Sequence, residues 1–111
     1  MNVGIIDYGS GNIRSVSKSF ERAAFELESK VKINVIRSAQ ELKNMDRIVL
    51  PGVGAFADCI KGIKNINSLY KTLNDMVLGK SVPFLGICVG MQLLANYSNE
   101  HGRHNGFGWI E

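Results

Sequence analysis

Short apolar runs, separated by apolar stripes at helical spacing, are the feature that most narrows what this chain can fold into. Residues 3–6, 31–35, 48–50 and 82–87 read as four strands. Three of them are nearly continuous apolar runs, and the second alternates Val31, Ile33 and Val35 with Lys32 and Asn34. Between them, Ile13, Val16, Phe20, Ala24 and Leu27 recur at steps of three and four, which draws one face of a helix behind a good N-cap, Asn12. Phe56, Cys59, Ile60 and Ile63 draw a second stripe, and Leu69, Leu73, Met76 and Val77 a third. Residues 39–44 read as a short helix and 89–97 as a longer one, and 98–111 read as a polar, Gly-rich tail. Pro51-Gly52 is expected to stop the third strand. The fold class that follows is α/β: a parallel, flavodoxin-like sheet with helices on both faces. In such sheets chemistry sits at the carboxyl ends of the strands. The loops at 7–12, 51–55 and 86–90 fall there.

Composition limits the partners. The chain has 111 residues, the size of one domain. With 45% apolar and 21% charged residues it can bury a core. The net charge of +3 is scattered without a like-charge run, so no nucleic-acid partner is expected. No apolar stretch is long enough to cross a bilayer, and the N-terminus lacks the basic start of a signal peptide. Cys59 and Cys88 form no CxxC or Cys/His cluster. Free thiols in a cytosolic protein are expected, with no metal and no cofactor.

Gly86-Ile87-Cys88-Val89-Gly90 is G-x-C-x-G, after a strand and opening a helix. The serine form of this pattern is a nucleophile elbow, whose sharp turn is crowded and needs small residues on both sides. A helix N-terminus brings N–H groups and partial positive charge to the sulfur. The Val89 amide can then face an oxyanion. The plainer reading, a buried core cysteine, is preferred for Cys59 on its apolar stripe. For Cys88 the flanking glycines favour a nucleophile. Gly52-Val53-Gly54 could complete an oxyanion hole or be an ordinary strand-to-helix turn. Residues 9–12 could cradle a phosphate, but the spacing is neither G-x-G-x-x-G nor a P-loop.

A cysteine hydrolase needs a general base, usually a histidine oriented by a carboxylate. The two histidines, His101 and His104, follow the helix expected at 89–97. Nine helical residues would carry the chain roughly 13 Å from the sulfur. Neither histidine is therefore favoured as the base.

Asp7-Tyr8-Gly9-Ser10-Gly11-Asn12, Leu50-Pro51-Gly52-Val53-Gly54-Ala55-Phe56 and residues 83–94, PFLGICVGMQLL, resemble class I (triad-type) glutamine amidotransferases. More narrowly they look like the glutaminase subunits of imidazole glycerol phosphate synthase. The elbow is shared by the whole class, whereas the three segments together are more specific. The resemblance implies that Cys88 attacks the side-chain amide of glutamine, forming a thioester and releasing ammonia. It implies that Gly52, Val53, Gly54 and Val89 hold the oxyanion, and that Gln92 helps hold glutamine. It implies a (β/α)8-barrel cyclase subunit as partner. That subunit takes up the ammonia and makes imidazole glycerol phosphate and an aminoimidazole carboxamide ribonucleotide, in histidine biosynthesis. A switch by rotation of a peptide in residues 52–54, set by the partner, is a further expectation.

The family's H-x-E pair has no counterpart here. The expectation is that residues 1–111 are the N-terminal part of a single amidotransferase domain, inactive and poorly folded by themselves. Residues 25–32 read as a surface insertion. The rival readings are a glutaminase subunit of another amidotransferase, a non-catalytic flavodoxin-like phosphate-binding module, and a cysteine-elbow ester hydrolase.

Overall fold

The computed structural model describes residues 1–9, 12–95, 97–99 and 102–109. Strands β1 (Asn2–Ile6), β2 (Lys32–Ile36), β3 (Arg47–Gly52) and β4 (Phe84–Cys88) form one sheet in the order β2-β1-β3-β4. All its pairings are parallel. This is the strand order of the flavodoxin-like doubly wound sheets, as expected. The order reverses between β1 and β3, so the crevice at the carboxyl ends of those strands is the switch point.

The strand period sorts the core into two layers. Val3, Ile5 and Val49 face α1 (Ile13–Glu26), which lays Ile13, Val16 and Phe20 on them. Ile6, Ile36, Ile48 and Leu50 point the other way. They pack against Leu42 of α2 (Ala39–Leu42), the stripe of α3 (Phe56–Asn65), and Leu69 and Leu73 of α4 (Leu69–Asn74). The backbone after α4 widens into a π-helical turn, Asp75–Gly79, and Met76 there is buried in the core. The first layer is incomplete beside β4. Leu85 is 50% exposed there, and an open apolar groove runs past Phe20, Val49, Pro83 and Leu85.

Four expectations need correction. Leu27 is not part of the α1 stripe: it caps the helix, its N–H bonding back to Ala23, and it is 79% exposed. Glu28, at φ 51°, turns the chain away, and residues 25–30 are all exposed. Pro51-Gly52 does not stop β3. Pro51 pairs with Ile87 and Gly52 with Cys88. The β1 ladder has ended by then, at Ile5 opposite Val49, so the missing proline N–H removes no ladder bond.

Third, the helix after the elbow, α5, is only Val89–Gln92. The carbonyl of Leu93, which a helix reaching 97 would use internally, accepts instead from Phe107 N–H at 2.7 Å, and that of Ala95 accepts from Gly108 N–H at 3.0 Å. Fourth, the tail is not a plain polar loop. It forms a hairpin of β5 (Tyr97–Ser98) and β6 (His104–Asn105) and returns Phe107 to the core. Phe107 stacks on Tyr70 and on Trp109, with centroids 5.1 and 4.5 Å apart. Trp109 meets Phe84 edge-on and donates its indole N–H to Asn74 Oδ1 at 2.8 Å.

Candidate active site

The carboxyl ends of β3 and β4 lie side by side. Gly52 and Cys88 are register partners, and α5 starts at the next residue, Val89. Cys88 has φ 56° and ψ −123°, outside the regions that L-residues ordinarily occupy. A residue held there costs on the order of 1–3 kcal/mol and persists only where its surroundings over-determine it.

The surroundings do so through close backbone approach. A Cβ on Gly86 would fall 2.7 Å from Met91 Cα and 2.8 Å from the Gly90 carbonyl oxygen. A Cβ on Gly90 would collide with the carbonyl of Leu50. The first turn of α5 is thus pressed flat onto the end of β3. Only glycine at 86 and 90 permits this, which is the physical content of the G-x-C-x-G spacing.

The thiol of Cys88 is exposed, and that of Cys59 is fully buried. The helix behind Cys88 has four residues, so its N-terminal influence is that of the first-turn N–H groups rather than a long dipole. Val89 opens α5, and Gln92 ends it, one turn beyond Cys88 and exposed. Val53 is 57% exposed, and Gly54 has φ +89° with open space where a Cβ would be. The structure therefore brings Gly52, Cys88 and Val89 together at the end of the sheet and continues from Gly52 into the loop of Val53 and Gly54.

His101 lies outside the described residues, as do Ser10 and Gly11 of the expected phosphate loop. His104 is half-buried on β6 opposite Ser98. With α5 so short, the chain does not travel the distance on which both histidines were discounted. The observed geometry replaces that reasoning and gives His104 a place in the hairpin.

Two neighbours of the loop were read from sequence only as turn and core. Tyr8, just past β1, donates its hydroxyl to the Pro51 carbonyl at 2.6 Å and is buried. Cys59 on α3 donates its thiol to the Val53 carbonyl at 3.4 Å. Two features could have flagged them: a tyrosine set in an otherwise small, polar turn, and a thiol three positions past the start of a helix stripe.

Beside α1, a cleft of about 420 Å³ at the ends of β1 and β2 is lined by Asp7, Arg14, Lys18, Glu21 and Arg37 among others. Asp7 already pairs with Arg37 at 3.1 Å.

Comparison with known proteins reads the same pattern over most of the chain. Residues 5–106 match the model of the family described as glutamine amidotransferase class-I. The chain belongs to the class-I glutamine amidotransferase family. It is 54% identical over 110 residues to the imidazole glycerol phosphate synthase subunit HisH of Brucella suis. It is 51% identical to the protein of that name from Rhodopseudomonas palustris and 49% identical to that from Mesorhizobium japonicum. Each match covers 99% of this chain and 51% of the relative. The chain thus spans about half the length of the curated relatives it matches. Membership of this amidotransferase family sets aside the ester-hydrolase reading. Among the described residues, no helix is long and apolar enough to cross a membrane.

Proposed function

We propose that these residues form the nucleophile-bearing part of a single amidotransferase domain that hydrolyses glutamine. The observation that carries this is Cys88: exposed, held at positive φ between two obligatory glycines, and in register with Gly52. A sulfur on such a turn stands clear of the sheet, beside backbone N–H groups that have no helical partner.

The chemistry runs as nucleophilic acyl transfer. The Cys88 sulfur attacks the carboxamide carbon of glutamine, and a C–S bond forms. The negative charge passes to the amide oxygen, where N–H groups of residues 53–54 and Val89 receive it. The C–N bond then breaks, the nitrogen takes a proton, and ammonia departs. Water attacks the thioester, releases glutamate and restores the thiol. Gln92 contacts the substrate from one turn along α5. The general base comes from the half of the relatives that this chain does not span.

The relatives' names support a narrower reading. The ammonia passes to a (β/α)8-barrel cyclase subunit in a heterodimer, and the pair makes imidazole glycerol phosphate and aminoimidazole carboxamide ribonucleotide for histidine biosynthesis. Sequence identity near 50% across the whole of this chain favours this over a glutaminase serving another pathway.

The test is alkylation of the full-length protein, with its partner, by a glutamine-analogue electrophile, followed by peptide mass mapping. Labelling at Cys88 that glutamine slows is the expected result. Labelling that glutamine does not slow, or that falls on Cys59, sinks the glutaminase reading. A partner other than a barrel cyclase, recovered by co-purification, sinks only the narrower one.

A further inference from the structure

Along a strand the backbone groups of successive residues face opposite neighbours, and every buried one needs a partner. Ile48 N–H donates to the Pro83 carbonyl, just before β4, at 3.0 Å. In step with it, the backbone groups of Leu50 and Gly52 also face β4, and those of Val49 and Pro51 face β1. Gly52 N–H is thus a ladder donor to β4, and the oxyanion donors of this loop begin only after it.

On the β1 side the ladder runs out. Its last pair is Ile5 with Val49, and the next in step would be Asp7 with Pro51. Proline has no N–H to give. The chain also leaves the sheet at Asp7, whose Oδ1 accepts from Gly9 N–H at 3.3 Å in a turn. Residues 50–52, the tip of β3, are therefore in register with β4 alone. That tip carries Gly52, the register partner of the nucleophile.

On the bare side of the tip, the Pro51 carbonyl still needs a donor. The Tyr8 hydroxyl supplies it at 2.6 Å, and both residues are buried. The hydroxyl also reaches the elbow. A Cβ on Gly52 would lie 2.5 Å from the Tyr8 hydroxyl oxygen, 3.0 Å from Gly90 N and 3.5 Å from the Val89 carbonyl carbon. The hydroxyl and the first turn of α5 thus lie against one face of Gly52. From α3, Gly62 presses on the tyrosine. A Cβ there would fall 2.7 Å from the Tyr8 carbonyl oxygen and 3.1 Å from Cδ2. Tyr8 is wedged between α3 and the tip of β3, with its polar atom on the tip.

We propose that Tyr8 is a positioning residue for Cys88: its hydroxyl closes the bare side of the β3 tip, keeps Gly52 in register with Cys88, and so holds the seat on which the nucleophile's turn rests. This rests on the glutaminase reading above. Phenylalanine fills the same space, so the packing of the ring and the work of the hydroxyl can be separated.

The test uses the full-length protein with its partner. In Tyr8→Phe the Gly52 amide should exchange with deuterium about tenfold faster, equivalent to ~1.4 kcal/mol. The Ile48 amide, at the other end of the same ladder, should keep its rate. Glutaminase kcat should fall about tenfold and KM stay within about twofold, because a buried tyrosine touches no substrate and the loss lies in the placement of the sulfur. Exchange that rises equally at Ile48 and Gly52 is general destabilisation and overturns the inference. Unchanged exchange at Gly52 overturns it too, and so does faster exchange there with an unchanged kcat. A wild-type protein that does not hydrolyse glutamine would sink the glutaminase reading instead, and the exchange comparison would still judge whether Tyr8 holds the tip.

Discussion

Gly90→Ala separates the two things a glycine can do. Gly90 lies inside α5 with φ negative, so its own backbone accepts alanine. Helix propensity there favours alanine by ~1 kcal/mol. Against that stands the new Cβ, which would collide with the Leu50 carbonyl oxygen and lie 2.9 Å from its carbon and 3.4 Å from the Pro51 carbonyl carbon. These are backbone atoms of a central strand and cannot swing aside as a side-chain tip can. The first turn of α5 must lift, at the ~1–3 kcal/mol typical of overpacking or more. The net expectation, with a Cβ this close to strand backbone at the upper end of that range, is destabilisation by about 2 kcal/mol or more. A displacement of about 1 Å at the nucleophile also costs on the order of a hundredfold in rate. The assay is urea unfolding of the full-length protein beside its glutaminase rate. Two control variants share the chemistry of the change. Gly79→Ala, with open space and no positive φ, should be neutral or slightly stabilising. Gly54→Ala, with open space but φ +89°, should cost ~1–2 kcal/mol from conformation alone. A Gly90→Ala protein as stable and as active as wild type would refute the claim that close approach of α5 to β3 holds the elbow.

Cys88→Gly should abolish glutaminase activity yet be more stable than Cys88→Ala by ~1 kcal/mol, because glycine relaxes the positive φ; equal stability by urea unfolding would mean the elbow carries no strain. Phe107→Ala should cost ~3–5 kcal/mol, since the ring is 7% exposed and sandwiched between Tyr70 and Trp109; a loss under about 1 kcal/mol would show that the tail does not close the core. Residues 1–111 expressed alone should self-associate through the groove beside β4, and Leu85→Lys should reduce this in sedimentation velocity; a monomer at high concentration without the substitution would count against the groove as the sticky surface.

The strands were legible because buried parallel strands carry near-continuous apolar runs, and Val3 to Ile6 and Ile48 to Leu50 have no other use in a globular domain. The α1 cap was legible because Asn12 bonds its own first turn, accepting from Ser15 N–H at 3.3 Å. The elbow was legible because crowding leaves a record in the glycines at 86 and 90. Leu27 was misread because periodicity cannot tell the last turn of a helix from its cap.

What escaped has a common cause. Helix 89–97 was a fair reading of local propensity, since nothing in that stretch breaks a helix. It ends early in i−3 bonds, Leu94 N–H to Met91 and Ala95 N–H to Gln92, and the carbonyls of Leu93 and Ala95 are taken by donors more than a dozen residues later. The bond from the Tyr8 hydroxyl to the Pro51 carbonyl is the extreme case. Tyr8 and Pro51 are 43 positions apart, and neither residue's local role as turn or strand end depends on the other. A one-dimensional pattern records what a residue does to its own backbone. It does not record a side chain that fixes a distant peptide plane. Catalysis by backbone N–H groups is therefore harder to read from sequence than catalysis by side chains. The donors can be almost any residue, because every residue but proline carries the same N–H.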